Sequence, residues 1–233
     1  MPKLQYKVKT VWCPNLAYAI GLIASDGYLS SDQRHIGLVS KDLELVENLR
    51  TALVLKNKIG RRGRGGEKAK NYYCVNFGDK NFYVFLNTIG LTNNKSKTIR
   101  EVAVPDKFFC DFLRGLFDGD GTFYTYWDKR WPRSFGFKLS FASASPVFVG
   151  WLKQKLARLY TTRGYVHKGA GVLNLEYNKG DSKRLYHAMY DKDVILYGIR
   201  KYNKLNSALE IDAKVGLDYL QKPRIVKAGV AQW

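Results

Sequence analysis

At 233 residues the chain is long enough for one large domain or two small ones, and its 45% hydrophobic and 25% charged residues exclude a disordered polymer. Lys and Arg number 39 against 20 Asp and Glu, a net charge of +19 with a pI near 9.8, a surplus most simply kept for a polyanionic partner. No apolar run approaches the ~18–20 residues needed to span a bilayer and no basic amphipathic helix stands out, so composition favours nucleic acid over a membrane.

The start, MPKLQYKVKT, alternates polar and apolar residues without the apolar core of a secretion signal and reads as a mature, non-exported terminus. That predicts a cytoplasmic protein if bacterial or archaeal, or an organellar-matrix protein if organelle-encoded. Cys13, Cys74 and Cys110 are odd in number, widely spaced and far from any His at zinc-ligand spacing. They argue for a reducing compartment and against a disulfide frame or a zinc site. His35, His167 and His187 are isolated from one another and are read as ordinary surface or packed histidines.

In chain order, residues 19 to 27, AIGLIASDG, form a short apolar helix ending in a carboxylate. Strands follow at Tyr28 to Ser31 and His35 to Val39, then an amphipathic helix, SKDLELVENLRTAL. A hairpin with a glycine-rich basic turn, IGRRGRGGEKAKNYYCVNF, and a closing helix, DKNFYVFLNTIGL, complete the first half. The basic turn lacks the Gly-Lys-Ser/Thr order of a phosphate loop and lies between two strands, so it is not read as a nucleotide site.

Residues 92 to 107, holding Pro105, read as a linker, after which the pattern repeats: residues 113 to 121 are LRGLFDGDG. In the strand FGFKLSF, Phe135, Phe137, Leu139 and Phe141 face one side and Gly136, Lys138 and Ser140 the other. The helix SASPVFVGWLKQKLARL, a hairpin turning at Gly169 to Gly171 and the helix GDSKRLYHAMY complete the second half. Ser40 and Ser143 stand in register at the two middle-helix starts, where a hydroxyl can cap free N–H groups.

The predicted fold is therefore α+β: two pseudo-symmetric αββαββα halves, each a four-stranded antiparallel sheet with helices on one face. The units are 1–91, the linker 92–107, 108–209, and a basic extension 210–233 that the pattern does not place.

By alternation the other sheet faces expose Tyr28, Ser30, His35, Asn76, Tyr124, Tyr126, Lys138, Ser140, Tyr165, His167, Asn174 and Glu176, with Arg61, Arg62, Arg64, Lys129, Arg130 and Arg133 at the turns. A solvated sheet face would look similar residue by residue. Taken with the net charge, this mixture of Asn, Arg, Lys and Tyr suits a major groove, where strands can reach base edges.

Each nine-residue copy ends a helix in Asp, where the dipole disfavours negative charge by roughly 0.3–1 kcal/mol. Small residues recur at one-turn spacing, Ala17, Gly21 and Ser25 in one copy, Gly115 and Gly119 in the other. Interior glycines cost about 0.5–1 kcal/mol each, which close packing of the two helices would justify. Packed in parallel, the helices bring Asp26 and Asp120 together. Asp-Gly also makes an ordinary helix-to-strand turn, but a matched pair of carboxylates raises each other's pKa or calls in a cation, and oxygen-only donors suit a hard ion such as Mg²⁺.

The paired motifs, the order of elements and the basic sheets, over about residues 12 to 209, resemble the LAGLIDADG homing endonucleases in their monomeric two-motif form. The resemblance implies a DNA saddle made of the two sheets and Mg²⁺-dependent cleavage of both strands of a long duplex site, with two or more ions at Asp26 and Asp120. It also implies basic side chains near the metals, for which Lys41, Lys95 and Lys204 are the candidates by position. Ala144 stands where the second half would match Lys41, a departure that leaves the two strands' sites unequal or gives the second site its basic group from elsewhere. Ala24 and Asp118 also differ within the motifs, and one helix turn points Asp118 away from Asp120. An intron RNA-splicing maturase or a non-cleaving DNA-binding regulator of the same fold is the alternative implied.

Overall fold

The computed structural model describes residues 7–63, 69–190 and 194–221, with side chains through residue 215. Helix α1 (Pro14–Ser25) begins at Cys13, whose Sγ accepts from the Leu16 N–H at 3.5 Å, with Pro14 in the first helical position. Every residue from Leu16 to Ala24 is buried, so α1 is apolar all round and forms the centre of the molecule.

Its repeat, α5 (Phe109–Asp120), follows a 3-10 turn at Asp106–Phe108 and buries Phe109, Phe112, Leu113, Leu116 and Phe117. Buried Arg114 satisfies its guanidinium on Asp111 at 2.7 Å and on the carbonyls of Met189 and Leu196 at 2.8 and 2.9 Å.

After α1 come β1 (Gly27–Leu29), β2 (His35–Ser40), α2 (Leu43–Ala52), β3 (Gly60–Arg62), β4 (Tyr72–Gly78) and α3 (Lys80–Thr88). After α5 come β5 (Gly121–Trp127), β6 (Phe135–Ser143), α6 (Pro146–Tyr160), β7 (Tyr165–Lys168), β8 (Leu173–Tyr177) and α7 (Lys179–Tyr190). The sheets are antiparallel with orders β1-β2-β4-β3 and β5-β6-β8-β7, so the two αββαββα halves share one topology.

Period-two alternation sets which face is buried. Ile36, Leu38, Val75 and Phe77 pack with Leu45, Val46 and Leu49 of α2, and Phe137, Leu139, Phe141, Leu175 and Tyr177 with Phe148, Val149, Leu152 and Leu156 of α6. Each such side chain contributes about 1.5–3 kcal/mol on burial. The register Ser40↔Tyr73 in one sheet matches Ser143↔Leu173 in the other, which fixes the residue-by-residue equivalence of the halves.

Three local features differ from the sequence expectation. The middle helices start later than Ser40 and Ser143: Ser145 caps α6, accepting from the Phe148 N–H at 3.3 Å, because Pro146 occupies the first helical position. Ser40 and Ser143 instead brace the preceding turns, accepting from the N–H groups of Asp42 and Ser145 at 3.1 and 3.2 Å. The span read as a linker contains the short helix α4 (Lys95–Thr98), and residue 210 lies inside α8 (Ile199–Gln221), with residues 222–233 outside the described ones.

The segment entering α8 ties the halves together. Asn48 donates to the Tyr197 carbonyl at 2.9 Å, and the Ile199 N–H donates to Glu44 at 2.9 Å. No helix among the described residues is long and apolar enough to cross a membrane.

Candidate active site

Helices α1 and α5 run side by side in the same direction, in backbone contact. A Cβ at Gly21 would fall 2.2 Å from the Phe112 carbonyl oxygen, and one at Gly115 would fall 2.1 Å from that of Tyr18. One turn on, a Cβ at Gly119 would lie 2.0 Å from Ser25 Oγ and 3.4 Å from Asp26 Oδ2. The small residues therefore let the C-terminal ends meet, and Asp26 and Asp120 line a single cleft of about 470 Å³.

Asp120 stands at the exposed rim, yet protein crowds its carboxyl. Desolvation, then the neighbouring Asp26 charge, raise its pKa to about 6 against the opposing pull of Lys95 and Lys201.

Two lysines complete the centre by pseudo-symmetry. Lys95, buried in the first residue of α4, donates to the carbonyls of Ser25 at 3.4 Å and Gly27 at 2.5 Å, the residues on either side of Asp26. Lys201, in the first turn of α8, donates to the carbonyls of Phe117, Gly119 and Gly121 at 2.7, 2.8 and 2.6 Å, the last two on either side of Asp120. Burial lowers both ammonium pKa values to about 8, while the surrounding carboxylates hold the protons on. These cations cap the helix ends that the carboxylates would otherwise burden.

Lys95 thus falls where the sequence placed it, and Lys204 does not. Lys204 donates to the Phe123 carbonyl at 2.6 Å, farther along β5, and Lys201 holds the position beside Asp120. Matching the Asn-Lys pairs of the two halves selected Lys204; matching the first turns of α4 and α8 selects Lys201. Lys41 is exposed, its ammonium 5.4 Å from the centre of the Tyr72 ring, which itself lines the cleft.

Asp118 points away from the cleft, as its helix position required. It is 1% exposed and accepts from the Tyr18 hydroxyl at 2.8 Å and the Gly198 N–H at 2.7 Å, and desolvation lifts its pKa to about 6.

The sheet faces opposite the core form the second part of the site. In the first half Tyr28, His35, Asn76 and Arg62 share that face, with Ser30 just past the end of β1. Tyr28 lies across Gly37 and donates to Asn76 Oδ1 at 2.5 Å, while His35 pairs with Asp32. Arg61 is turned the other way: it pairs with Tyr73 across the strands and donates to the Tyr73 hydroxyl at 2.7 Å, because β3 alternates and only Arg62 points to the open face. Arg64 lies outside the described residues.

In the second half Tyr124, Tyr126, Lys138, Ser140, Tyr165, His167, Asn174 and Glu176 share the corresponding face. Ser140 and Glu176 are buried there, at 7% and 6% exposure, because long neighbours close over them. Glu176 accepts from Tyr124 at 2.8 Å and from Lys138 at 2.6 Å, Lys138 also meets the Tyr165 hydroxyl at 2.5 Å, and His167 lies 3.6 Å from the same carboxylate. Lys129, Arg130 and Arg133 are exposed on the β5–β6 turn, Arg130 beside Asp128 at 3.5 Å.

Residues 14–90 match the family model of the LAGLIDADG-like domain. Among solved structures, the LAGLIDADG meganuclease I-AabMI bound to uncleaved DNA is 13% identical with a TM-score of 0.61, over 89% of this chain and 92% of that one. The meganuclease I-SmaMI bound to uncleaveable DNA is 14% identical with a TM-score of 0.59, over 96% and 98% of the two chains. Full-length DUF199/WhiA from Thermatoga maritima is 15% identical with a TM-score of 0.56, over 91% of this chain and 68% of that one. No curated protein sequence matches the chain. Residues 14–90 thus match the LAGLIDADG-like domain, and the chain as a whole shares the fold of these LAGLIDADG meganucleases.

Proposed function

We propose that the chain is a site-specific endonuclease that cuts both strands of a long DNA duplex by divalent-metal-dependent hydrolysis, Mg²⁺ being the ion. The observation that carries this reading is the meeting of Asp26 and Asp120 in one cleft between two polar, basic sheets. The DNA-bound state of I-AabMI and I-SmaMI, which share the fold, supports double-stranded DNA as the partner. Because one chain carries both motifs, a single copy suffices for two strands.

The donor set fits a hard cation. Both carboxylates supply oxygen, the cleft has room for hydrated ions, and Asp120, desolvated and beside the Asp26 charge, is a carboxylate that a cation would relieve. Among the described residues no three His, Cys, Asp or Glu side chains group to hold a metal, so water and phosphate oxygens would fill the remaining positions, as Mg²⁺ commonly requires. When bound, the metal supplies activation of the attacking water and stabilisation of the leaving oxygen.

The chain's own residues do the rest. Asp26 and Asp120 would hold the ions; Lys95 and Lys201 pin the turns that aim those carboxylates, and Lys95, which lines the cleft, offsets charge near phosphorus. One water oxygen bonds to phosphorus, the P–O3′ bond breaks, and the water's proton passes through solvent to the departing 3′ oxygen. Exposed Lys129, Arg130 and Arg133 contact phosphates and set register, while Tyr28, Asn76, Tyr126, His167 and Asn174 face the bases.

The test is incubation with plasmid and genomic DNA carrying candidate sites, in Mg²⁺ and then in EDTA. Discrete double-strand breaks in Mg²⁺ alone support the reading. Sequence-specific binding with no breaks in Mg²⁺ or Mn²⁺ turns it toward a non-cleaving DNA-binding regulator, and binding to intron RNA alone toward a maturase.

A further inference from the structure

The strand register makes the halves comparable residue by residue, and the cleft wall is not symmetric. On the first half's side it carries Tyr28, Arg62 and Tyr72, with Lys41 stacked behind Tyr72. The pairings Gly27↔Leu38 and Gly121↔Phe141 make Thr122 the counterpart of Tyr28. Ser40↔Tyr73 and Ser143↔Leu173 make Ala144 that of Lys41 and Val172 that of Tyr72. Arg61↔Tyr73 and Lys168↔Leu173 then make Gly169 that of Arg62.

Tyr28, Lys41, Arg62 and Tyr72 are thus matched by the uncharged Thr122, Ala144, Gly169 and Val172, whereas Lys95 has a cationic counterpart in Lys201. Among the described residues the cations lining the cleft are Arg62 and Lys95, from the first half and the linker, whereas Lys201 does not line it. The Arg62 guanidinium lies 5.9 Å from the centre of the Tyr28 ring, on an exposed strand end, where its planar donor fork is open to solvent.

We infer that Arg62 is a phosphate-contacting residue for one strand only, so that the strand passing the first half's wall is cut first and a nicked duplex is the intermediate. The inference rests on the nuclease reading above. A guanidinium braced against an aromatic ring offers two parallel N–H donors to the non-bridging oxygens of a phosphodiester, holding phosphorus in line for attack from the Asp26–Asp120 centre. The other strand meets Thr122, Ala144, Gly169 and Val172, none of which carries charge. On that wall its phosphate would meet no counterpart of the Arg62 fork.

The experiment uses the full chain and its duplex site, recovered from a randomised library, with the two strands carrying different fluorophores. Single-turnover cleavage in Mg²⁺ by the native chain should show one strand cut faster, with nicked duplex accumulating. Arg62→Ala should slow that strand about ten- to hundredfold, the loss expected of a charged hydrogen-bonding group, and leave the other within about twofold. Arg62→Lys should restore part of the loss, since charge returns without the fork.

In EDTA, R62A should lower the slope of log binding constant against log salt by about one, a readout independent of cutting. Equal cutting rates in the native chain, equal slowing of both strands by R62A, or an unchanged salt slope would overturn the inference while leaving the nuclease reading intact. A native chain that binds its site but cuts neither strand would overturn the nuclease reading and this inference with it.

Discussion

Lys201 donates to the carbonyl of Gly121 at 2.6 Å, holding the turn that follows Asp120 as Lys95 holds the turn that follows Asp26 at Gly27. Removing the ammonium frees carbonyls at a helix end and lets the carboxylate shift. Lys201→Met should therefore lower the cleavage rate about hundredfold, the usual result of a displacement near 1 Å at a reacting centre. Lys204→Met, which loses only a bond to the Phe123 carbonyl, should cost much less. Single-turnover rates of the two variants on one duplex check this, and equal losses would return Lys204 to the site.

The two motif helices can be tested by adding one methyl group. Gly115→Ala would press a Cβ to within 2.1 Å of the Tyr18 carbonyl oxygen, backbone against backbone, where nothing flexible can yield. A loss of about 3 kcal/mol or more in urea unfolding is expected. Gly150→Ala, in α6 with nothing within 4 Å of the new Cβ, should instead gain about 0.5–1 kcal/mol from helix propensity.

Asp118 makes stability depend on pH with a definite sign. Its folded pKa of about 6 lies above the ordinary carboxylate value of about 3.9, so the folded state holds the proton more tightly. The stabilisation is complete below pH ~4 and is lost as pH rises through ~6, amounting to about 3 kcal/mol. Asp118→Asn cannot titrate. The native chain's advantage over D118N, measured by denaturation in EDTA, should shrink by about 2 kcal/mol, most of that amount, between pH 4 and pH 7, and a constant difference would show that Asp118 does not titrate in this range.

Glu176 places a carboxylate on the face assigned to DNA. Paired with Lys138, it holds that ammonium and screens its charge. Glu176→Gln should release one positive charge to the duplex and steepen the salt dependence of binding by up to about one. Fluorescence anisotropy at several salt concentrations measures it.

The repeat was legible because two copies of one pattern, each with strand and helix periods in the same order, constrain one another. The pairing of Asp26 with Asp120 followed from Gly21 and Gly115, whose helix cost only close packing explains. Lys201 was missed because sequence similarity aligns dipeptides, whereas the fold aligns helix starts, and α4 and α8 begin at different distances from their Asn-Lys pairs. Arg61 and Arg62 were indistinguishable for a related reason: a short edge strand exposes one and turns away the other according to a register set by Tyr72 and Tyr73 on its neighbour. The burial of Glu176 depends on side chains from β5, β6 and β7, and no pattern within β8 records them.

The central claim is that Asp26 and Asp120 form one metal-dependent cutting centre. Its most direct measurement is cleavage of a deep randomised duplex library by the native chain and by the Asp26→Asn, Asp120→Asn double variant, in Mg²⁺ and in EDTA, with binding followed in parallel. Discrete cuts by the native chain in Mg²⁺ alone, and a double variant that binds the same duplexes without cutting, is the expected result. Cutting by the double variant in Mg²⁺, or by the native chain in EDTA, would contradict it.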